Sequence, residues 1–270
     1  MEDYSMDLKI IPDNYINNPN GLVAKKFALC KGVVDAQAII SISKMKTHAL
    51  ENITGAVKNQ YGCIFSNRKS LGHAKYPNSN IFAKMLVDLN LYLKPRLYIM
   101  DGIIAMEGNG PASGDPVLMK TILISKDPVA LDSVFARLVY LKPEYVPTIV
   151  YGDKYKLGTK NFDEIDVITP DGILTIDDIV DKYGNPDFVV NRKKRGFWNL
   201  KELFHRRKEK THRPVVNLDL CIGCGKCESV CPVKAVASGN GNKATYDYSK
   251  CIRCYCCQEV CPAKAISRKD

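Results

Sequence analysis

The sequence has few of the features that mark secreted or membrane-spanning proteins. No apolar run approaches the 18 or more residues that a membrane-spanning helix needs, and the first four residues, MEDY, are acidic where a secretion signal is basic. The composition, 46% hydrophobic and 25% charged, is that of a globular protein, and its 270 residues suggest about two domains. We therefore expect a cytoplasmic protein without a transmembrane segment.

Several catalytic signatures are missing as well. The sequence contains no nucleophile elbow, Walker loop, dinucleotide fingerprint or HExxH motif, which weakens the case for a complete enzyme. The net charge of +10 is also local: residues 1–191 hold 21 Lys and Arg against 22 Asp and Glu, residues 192–213 hold 10 against 2, and residues 214–270 hold 8 against 5. Because the excess lies in one short segment, we expect no nucleic-acid partner for the whole protein.

Cysteine is scarce before residue 220 and dense after it. Nine of the 11 cysteines lie in an internal repeat with a period of 30, in which CIGCGKCESVCPVKAVA (221–237) returns as CIRCYCCQEVCPAKAIS (251–267) with nine of 17 positions identical. Both copies space their cysteines as C-x2-C-x2-C-x3-C-P, the pattern of bacterial ferredoxins. Disulfides are improbable in the cytoplasm, and zinc sites have no use for the third cysteine step, so the repeat predicts two 4Fe-4S clusters.

The ligands of the two clusters are expected to cross between the copies. Three thiolates two residues apart can wrap three iron corners of a cubane, while the fourth corner is reached from the other copy. The predicted sets are Cys221, Cys224, Cys227 and Cys261 for the first cluster, and Cys251, Cys254, Cys257 and Cys231 for the second. Cys256 is one position too early to be a ligand, and Cys30 and Cys63 are expected to be buried small hydrophobic residues.

The body before residue 190 alternates short apolar runs with amphipathic ones, which is typical of an α/β domain with a mainly parallel sheet. Continuous apolar runs of this kind are expected to be strands covered on both faces. The predicted strands are Ala38 to Ser43, Leu97 to Asp101 and Thr121 to Ser125, and the predicted helices are Ile53 to Tyr61, Asn80 to Leu93 and Pro128 to Tyr140. Asp127 is placed to cap the last helix, with Pro128 in its first turn.

Polar residues gather just after these strands, where open α/β folds bind ligands at one edge of the sheet. They are Lys44, Lys46, Thr47 and His48, then Glu107, Gly108, Asn109, Gly110, Pro111 and Gly114, and then Lys126 and Asp127. Ordinary turns and a charged surface produce the same pattern, and a lone His73 or Asp132 is more often structural than catalytic. From the residues alone, a functional site and a plain surface are equally open.

Longer motifs carry a resemblance to a known family. They are SKMKTHALENITGAVKNQYG (43–62), His73, DGIIAMEGNGPASGDP (101–116), SKDPVALDSV (125–134) and CIRCYCCQEVCP (251–262). At these residues the chain resembles the family catalogued as domain of unknown function 362, which often carries a C-terminal ferredoxin module.

The resemblance implies a pocket rather than a reaction, because the body of that family has no assigned activity. The implied pocket residues are Lys46, Thr47, His48, Thr54, Lys58, Asn59, Glu107, Asn109 and Asp132. Family members usually have a longer N-terminal region before the KxKTH motif, whereas about 40 residues precede it here. Any site built partly from that region is expected to be incomplete.

A basic connector at 189–213 joins the body to the cysteine repeat. Its apolar residues Phe197, Trp198, Leu200, Leu203 and Phe204 predict a stripe on a short helix surrounded by Lys and Arg. Three interpretations are open: a linker helix packing on the cluster module, docking of an acidic redox partner, or binding to an anionic membrane surface or nucleic acid.

The predicted architecture is an α/β domain over 1–188, the linker over 189–213 and a small α+β, ferredoxin-like two-cluster domain over 214–270. The leading hypothesis is an electron-transfer protein. The second is an iron-sulfur oxidoreductase in which Lys46, His48 and Lys58 bind a small anionic substrate while Glu107 or Asp132 moves protons. The third is a binding module whose clusters are purely structural.

Overall fold

The computed structural model of the chain describes residues 15–65, 68–192 and 213–269. The helix predicted for the connector, with its apolar residues at 197–204, lies outside these ranges. In the part of the chain that is described, no helix has both the length and the apolarity needed to cross a bilayer.

A four-stranded sheet forms the centre of the body. The elements of the body up to the last strand of this sheet are, in chain order, β1 (Tyr15–Asn17), β2 (Lys26–Ala28), α1 (Lys31–Val34), β3 (Ile40–His48), β4 (Asn52–Thr54), α2 (Ala56–Asn59), α3 (Arg68–Lys75), α4 (Ser79–Leu93), β5 (Leu97–Glu107) and β6 (Asp115–Ser125). The spatial order is β4-β3-β5-β6, while β1 and β2 form a separate antiparallel pair.

The α/β class is confirmed, but the mainly parallel sheet is wrong. Only the pair β3 and β5 is parallel; β4 and β6 run antiparallel to their neighbours. The reason is the length of the connections. The loop 108–114 between β5 and β6 is too short for a helical crossover, which takes about a dozen residues, so it makes a hairpin instead.

The rest of the body consists of helices and a small hairpin. These elements are α5 (Pro128–Leu138), α6 (Pro147–Lys154), β7 (Val167–Thr169), β8 (Gly172–Leu174) and α7 (Ile176–Tyr183). The predicted helices at α4 and α5 are confirmed: the Asn78 side chain caps the first, and Asp127 accepts bonds from the amides of Val129 and Ala130 in the second. The helix predicted over 53–61 is confirmed only in its later part: β4 occupies its start, Gly55 has a non-helical conformation, and the helical turns run from Ala56 through α2 and a following 3-10 helix to Cys63.

Among the described residues, helices cover one face of the sheet and leave side chains of the other face exposed, so the prediction of strands covered on both faces is also wrong. Helices α2 and α5 pack against it, and inward side chains such as Met45 and Met100 are fully buried. The outward side chains of Ile42 and Ile124 are more than half exposed. Strands β3, β5 and β6 are also longer than predicted: β3 continues to His48 and β5 to Glu107, whereas β6 begins six residues earlier, at Asp115.

The tail is a small unit of short strands and one-turn helices, in agreement with the predicted α+β composition. Its elements are β9 (Arg213–Val216), α8 (Lys226–Ser229), β10 (Val236–Gly239), β11 (Asn242–Tyr246), α9 (Cys256–Glu259) and β12 (Ile266–Lys269). β9 pairs with β12 and β10 with β11, both antiparallel. Each copy of the repeat therefore forms a cysteine loop, a short helix and a strand, around a core of Cys227, Val236, Ala244, Cys257 and Ile266.

Candidate functional site

Four thiols from both copies of the repeat line one cavity in the tail. They are Cys221, Cys224, Cys227 and Cys261, and the cavity holds about 310 Å³, part of it open to solvent, with Ala244 and Ile266 in its wall. The first three come from the loop before α8 and from α8 itself, and the fourth follows α9. The structure thus brings together the first predicted ligand set. In the described ranges no group of three His, Cys, Asp or Glu side chains is placed to hold a single metal ion. The four thiols are spread over the wall of the cavity.

Backbone amides donate hydrogen bonds to the cysteine sulfurs. The amide of Ala235 lies 3.1 Å from Cys231 Sγ, and the amide of Ala265 lies 3.3 Å from Cys261 Sγ, the same contact in each copy. Amide bonds from Ala244 and Gly223 lower the pKa of Cys221. Such donors favour the thiolate, the form that ligates metal, so the chemistry of this donor set fits an iron-sulfur cluster.

The second predicted ligand set also gathers in one place. Burial raises the pKa of Cys251, and the nearby thiols of Cys254 and Cys231 raise it further. Burial likewise raises the pKa of Cys257 to about 12, a shift opposed by the hydroxyl of Tyr246, which donates to its sulfur at 3.2 Å. Thiols that oppose one another's ionisation are suited to a bound cation or cluster, whose positive iron centres remove that repulsion.

The three remaining cysteines behave differently from one another. Cys256 is buried, and its thiol donates to Cys254, which raises the pKa of Cys256 and lowers that of Cys254. It therefore lies beside the second thiol set, supporting one of its members. Cys30 and Cys63 were expected to be buried, but both are only partly buried; Cys63 packs against the body core.

The second copy of the repeat contacts the body through α9. Gln258 is 1% exposed, and its amide nitrogen donates to the backbone oxygens of Asn109 at 3.2 Å and Gly110 at 3.3 Å and to the Asn109 side chain. Asn109 in turn donates to the carbonyl of Ile266 at 3.1 Å. These bonds attach the loop after β5 to the cluster-bearing tail.

A second contact joins His48 to Glu259. The amides of Leu50 and Glu51 both donate to His48 Nδ1 at 3.1 Å, so the ring proton lies on Nε2, which is 3.2 Å from Glu259 Oε1. Burial raises the pKa of Glu259, but the bond from His48 and the charge of Lys58 outweigh it and lower the pKa to about 2. Glu259 is therefore an anion held against the body.

Lys46 is the other charged residue of this contact. Burial and the positive charge of Lys58 lower its pKa, and the nearby Glu259 carboxylate opposes that shift. Beneath them, His73 is buried and stacked on Phe82 at 4.3 Å, and burial lowers its pKa to about 3. The candidate site in the body is thus a pair of lysines, Lys46 and Lys58, with the neutral ring of His48, around one carboxylate supplied by the tail.

The other predicted pocket residues have structural roles. Thr47 accepts from the amide of Gly110 and donates to the carbonyl of Gly108, so the ends of β3 and β5 meet as expected. Glu107 accepts from the amide of Val189, and the side chain of Asn59 donates to Ser41 Oγ at 3.0 Å. The hydroxyl of Thr54 is buried in β4.

Asp132 and the polar residues after β6 are not part of this site. Asp132 is fully buried and accepts the amides of Ala56 and Val57 at the start of α2; burial raises its pKa to about 7, against those two bonds. Lys126 and Asp127 lie at the opposite end of the sheet, because β6 runs antiparallel and Ser125 pairs with Tyr98. Lys44 lies on β3 itself and pairs with Asp101 at the surface.

Residues missed from the sequence lie where the two repeats differ. Gln258 and Glu259 replace Glu228 and Ser229 of the first copy, and Cys256 replaces Lys226. Tyr61, whose pKa is raised by burial and by the nearby Cys256 and Glu259, faces them from the body. The available signal was the change of charge at these three helix positions, which is lost at 256 and 258 and gained at 259.

Comparison with known proteins confirms the resemblance read from the motifs. The model of the family described as domain of unknown function (DUF362) matches residues 5–137, and that of the 4Fe-4S dicluster domain matches residues 213–262. The chain is also 37% identical over 131 residues to the thylakoid-associated protein sll1697 of Synechocystis sp.. That match covers 48% of this chain and 41% of the relative, so the chain spans less than half the length of this curated relative.

Proposed function

We propose that this chain, in which a DUF362 region is joined to a 4Fe-4S dicluster domain, is an electron-transfer protein that holds two 4Fe-4S clusters in crossed ligand sets. The observation that carries the proposal is the cavity lined by three thiols of the first copy and by Cys261 of the second. Eight ligating thiolates also require a reducing compartment, such as the cytoplasm. The domain boundaries 1–188, 189–213 and 214–270 belong to the same proposal.

The chain's own residues would position and tune the bound groups. Each cluster, when bound, accepts or releases one electron at a time. The amides of Ala235, Ala244 and Ala265 donate to cysteine sulfurs and stabilise the added negative charge, which is one of the established influences on cluster potential. Tyr246 makes a similar bond to Cys257.

The contact with the body supports a route for electrons into it. Cys254 and Cys256 lie close enough to Tyr61 to raise its pKa, and Glu259 on the same short helix reaches His48. The second ligand set is therefore the one beside the body. Gln258 and Asn109 hold this arrangement in place.

A second candidate function, reduction of a small anionic substrate, is favoured by the charges at this contact. The charge of Lys58 lowers the pKa of Lys46, and the two lysines share a single carboxylate, Glu259, so the group carries more positive than negative charge. An anion bound there would relieve the repulsion between the lysines. In this case Lys46, Lys58 and His48 bind and orient the substrate, while the clusters supply electrons.

Paired cysteine substitutions test the crossed clusters. The anaerobically prepared full chain is expected to contain about eight iron and eight sulfide. Under the crossed assignment Cys224 and Cys261 serve one cluster, so C224S/C261S is expected to keep about four iron, whereas the matched variant C224S/C231S loses both clusters. The reverse result would show that each copy of the repeat binds its own cluster, and zinc in the wild type would exclude the proposal.

Thermal shifts test the anionic substrate. Phosphate, sulfate, citrate and acetate are each expected to raise the Tm of the loaded full chain if they bind at Lys46. K46A should abolish the shift, and K44A is the matched control because Lys44 is exposed and paired with Asp101. Equal shifts in both variants, or none in the wild type, would remove this second candidate.

A further inference from the structure

Two cysteines of the body, Cys30 and Cys63, lie opposite each other across a short stretch of antiparallel pairing. The pairing is an isolated β-bridge between Leu29 and Ile64. Next to it, the amide of Cys30 donates to the carbonyl of Cys63 at 3.0 Å. On its other side, the amide after Ile64 donates to the carbonyl before Leu29 at 2.9 Å. These two bonds fix the register, in which Cys30 and Cys63 are the next opposed pair.

The spacing of opposed residues in antiparallel strands suits a disulfide. Their Cα atoms are about 4.5–5.5 Å apart, and disulfides join residues whose Cα atoms are about 4.4–6.8 Å apart. Both cysteines are free thiols in the structure. Burial raises the pKa of Cys63, and the neighbouring thiol of Cys30 raises it further. The two sulfurs therefore repel each other when ionised, and a neutral disulfide would remove that repulsion.

Solvent reaches this pair of cysteines. Both are partly exposed, as the body core covers only one side of Cys63. Gly62 is exposed, and a Cβ there would meet no atom within 4 Å. Residues 31–32, which follow Cys30, are exposed as well. The charge of Lys69 opposes the rise in the pKa of Cys63, so a cation lies near this thiol. A small anionic disulfide can therefore approach the pair.

The pair also lies close in sequence to the contact with the tail. Cys63 ends the 3-10 helix that follows α2, and Tyr61 belongs to the same helix. Tyr61 faces Cys256 and Glu259 of the second copy of the repeat. A covalent bond between Cys63 and Cys30 would therefore restrain the segment of the body that faces α9.

We propose that Cys30 and Cys63 form a reversible disulfide by exchange with a low-molecular-weight disulfide such as oxidised glutathione. One cysteine thiolate attacks the glutathione disulfide, which forms a mixed disulfide and releases one glutathione thiolate. The second cysteine thiolate attacks the mixed disulfide and releases the other. The chain loses two electrons and two protons, and both pass to the two glutathione molecules.

The chemistry of the compartment sets the role of this bond. In a reducing compartment a disulfide is transient, which is the behaviour of a redox sensor. The inference does not depend on the proposed function, because neither Cys30 nor Cys63 belongs to the proposed ligand sets.

Peptide mapping of the full chain tests the disulfide directly. The anaerobically prepared chain is treated with oxidised glutathione, its free thiols are alkylated, and it is digested with trypsin without reductant. Peptide 27–31 joined to peptide 59–68 is expected in about tenfold or higher yield than in the untreated chain. Dithiothreitol should separate the two peptides. C30S and C63S should each lose the linked pair, whereas C256S, a change in the tail, should keep it.

Thermal unfolding tests whether the bond closes without strain. A disulfide between residues 30 and 63 restricts the unfolded chain, so the linked chain should have a Tm about 5 °C or more above that of the same chain after dithiothreitol. C30S, treated in the same way, should show no such difference. An unchanged or lower Tm in the linked chain would mean that the backbone has to distort, and it would contradict the proposed pairing.

The other outcomes are also decisive. Glutathione attached to either cysteine without any linked peptides would show that the two thiols are not aligned, and the proposal would be wrong. Linked peptides that form only after unfolding in guanidinium would overturn it as well. A chain that binds no iron but still forms the link would refute the proposed function and leave this inference intact.

Discussion

The two copies of the cysteine repeat space their four ligand candidates identically but face different surroundings. In the first copy, Cys224, Lys226 and Glu228 are exposed to solvent. The second turns Gln258 and Glu259 toward the body, where they meet Asn109 and His48. The cysteines proposed to hold the clusters are thus the same in the two copies. The other residues of the short helices differ, according to whether they contact solvent or the body.

The difference shows that one motif determines two properties through different residues: whether a cluster can bind, and which way the copy faces. Cluster binding depends on thiol spacing and on the amides that point at sulfur, and both recur in each copy. The direction in which a cluster faces depends on the residues between the cysteines. Those residues decide whether a copy faces solvent or the body, which is why identical spacing is compatible with different surroundings.

The largest effect is expected from a comparison of two adjacent cysteines in the second copy, the ligand candidate Cys257 and its neighbour Cys256. C257S should reduce the iron content from about eight to about four, because one cubane loses a corner ligand. C256S should keep about eight, since Cys256 is a buried donor to Cys254 rather than a ligand. Iron and sulfide analysis after anaerobic purification measures both variants.

Full iron in C257S together with loss in C256S would mean that the second copy uses a different spacing from the first. C227S provides the matched comparison in the first copy, where position 226 is a lysine and no such ambiguity exists. It should lose the same amount of iron as C257S. Unequal losses would show that one cluster depends on the other for assembly.

A smaller effect is expected at a position where both copies have a left-handed backbone but different residues. Gly223 and Arg253 both have left-handed backbones, with φ of 65° and 59°. A Cβ at Gly223 would lie 2.4 Å from the backbone of Gly241, so G223A should destabilise the loaded tail by about 2–4 kcal/mol through strain and overpacking. R253A adds no Cβ and should cost less than about 1 kcal/mol.

The guanidinium concentration at which cluster absorbance is lost measures this difference. The midpoint should fall clearly in G223A and little in R253A. If G223A is neutral, Gly241 moves freely and the close approach of the two glycines does not constrain the first copy. The comparison would then depend on side chains alone.

Local patterns predicted much of the fold, and long-range pairing limited the rest. Helices α4 and α5 were predictable because Asn78, Asp127 and Pro128 mark their starts by local chemistry. Sheet direction was not, because the glycine-rich loop after β5 is compatible with either a ligand loop or a hairpin turn. The strand ends were missed since Lys44 and Lys46 look like loop residues when only hydrophobicity is considered.

The grouping of Cys221, Cys224, Cys227 and Cys261 around one cavity was predictable from spacing, whereas the contact in the body was not. Asp132 and Glu107 looked like candidate acids, yet their carboxylates accept backbone amides and support α2 and the segment at Val189. The group that matters at the contact includes Glu259, which is more than 200 residues from His48 in sequence. No local window contains both residues, so only the folded chain shows that the tail supplies the carboxylate.

The smallest effect is expected where the second copy attaches to the body. Q258A removes the donor that serves Asn109 and Gly110 and leaves their buried oxygens without it, a cost of about 1–3 kcal/mol. S229A is the control, because Ser229 is exposed on α8 and bonds only within its own turn, to the carbonyl of Lys226. Hydrogen exchange at 105–112 in the loaded full chain should be about tenfold faster in Q258A and unchanged in S229A. Equal exchange in the two variants would show that the bonds of Gln258 are not what holds the tail to the body, and would leave that role to other contacts, among them His48 with Glu259, Asn109 with Ile266 and Arg268 with Ala49.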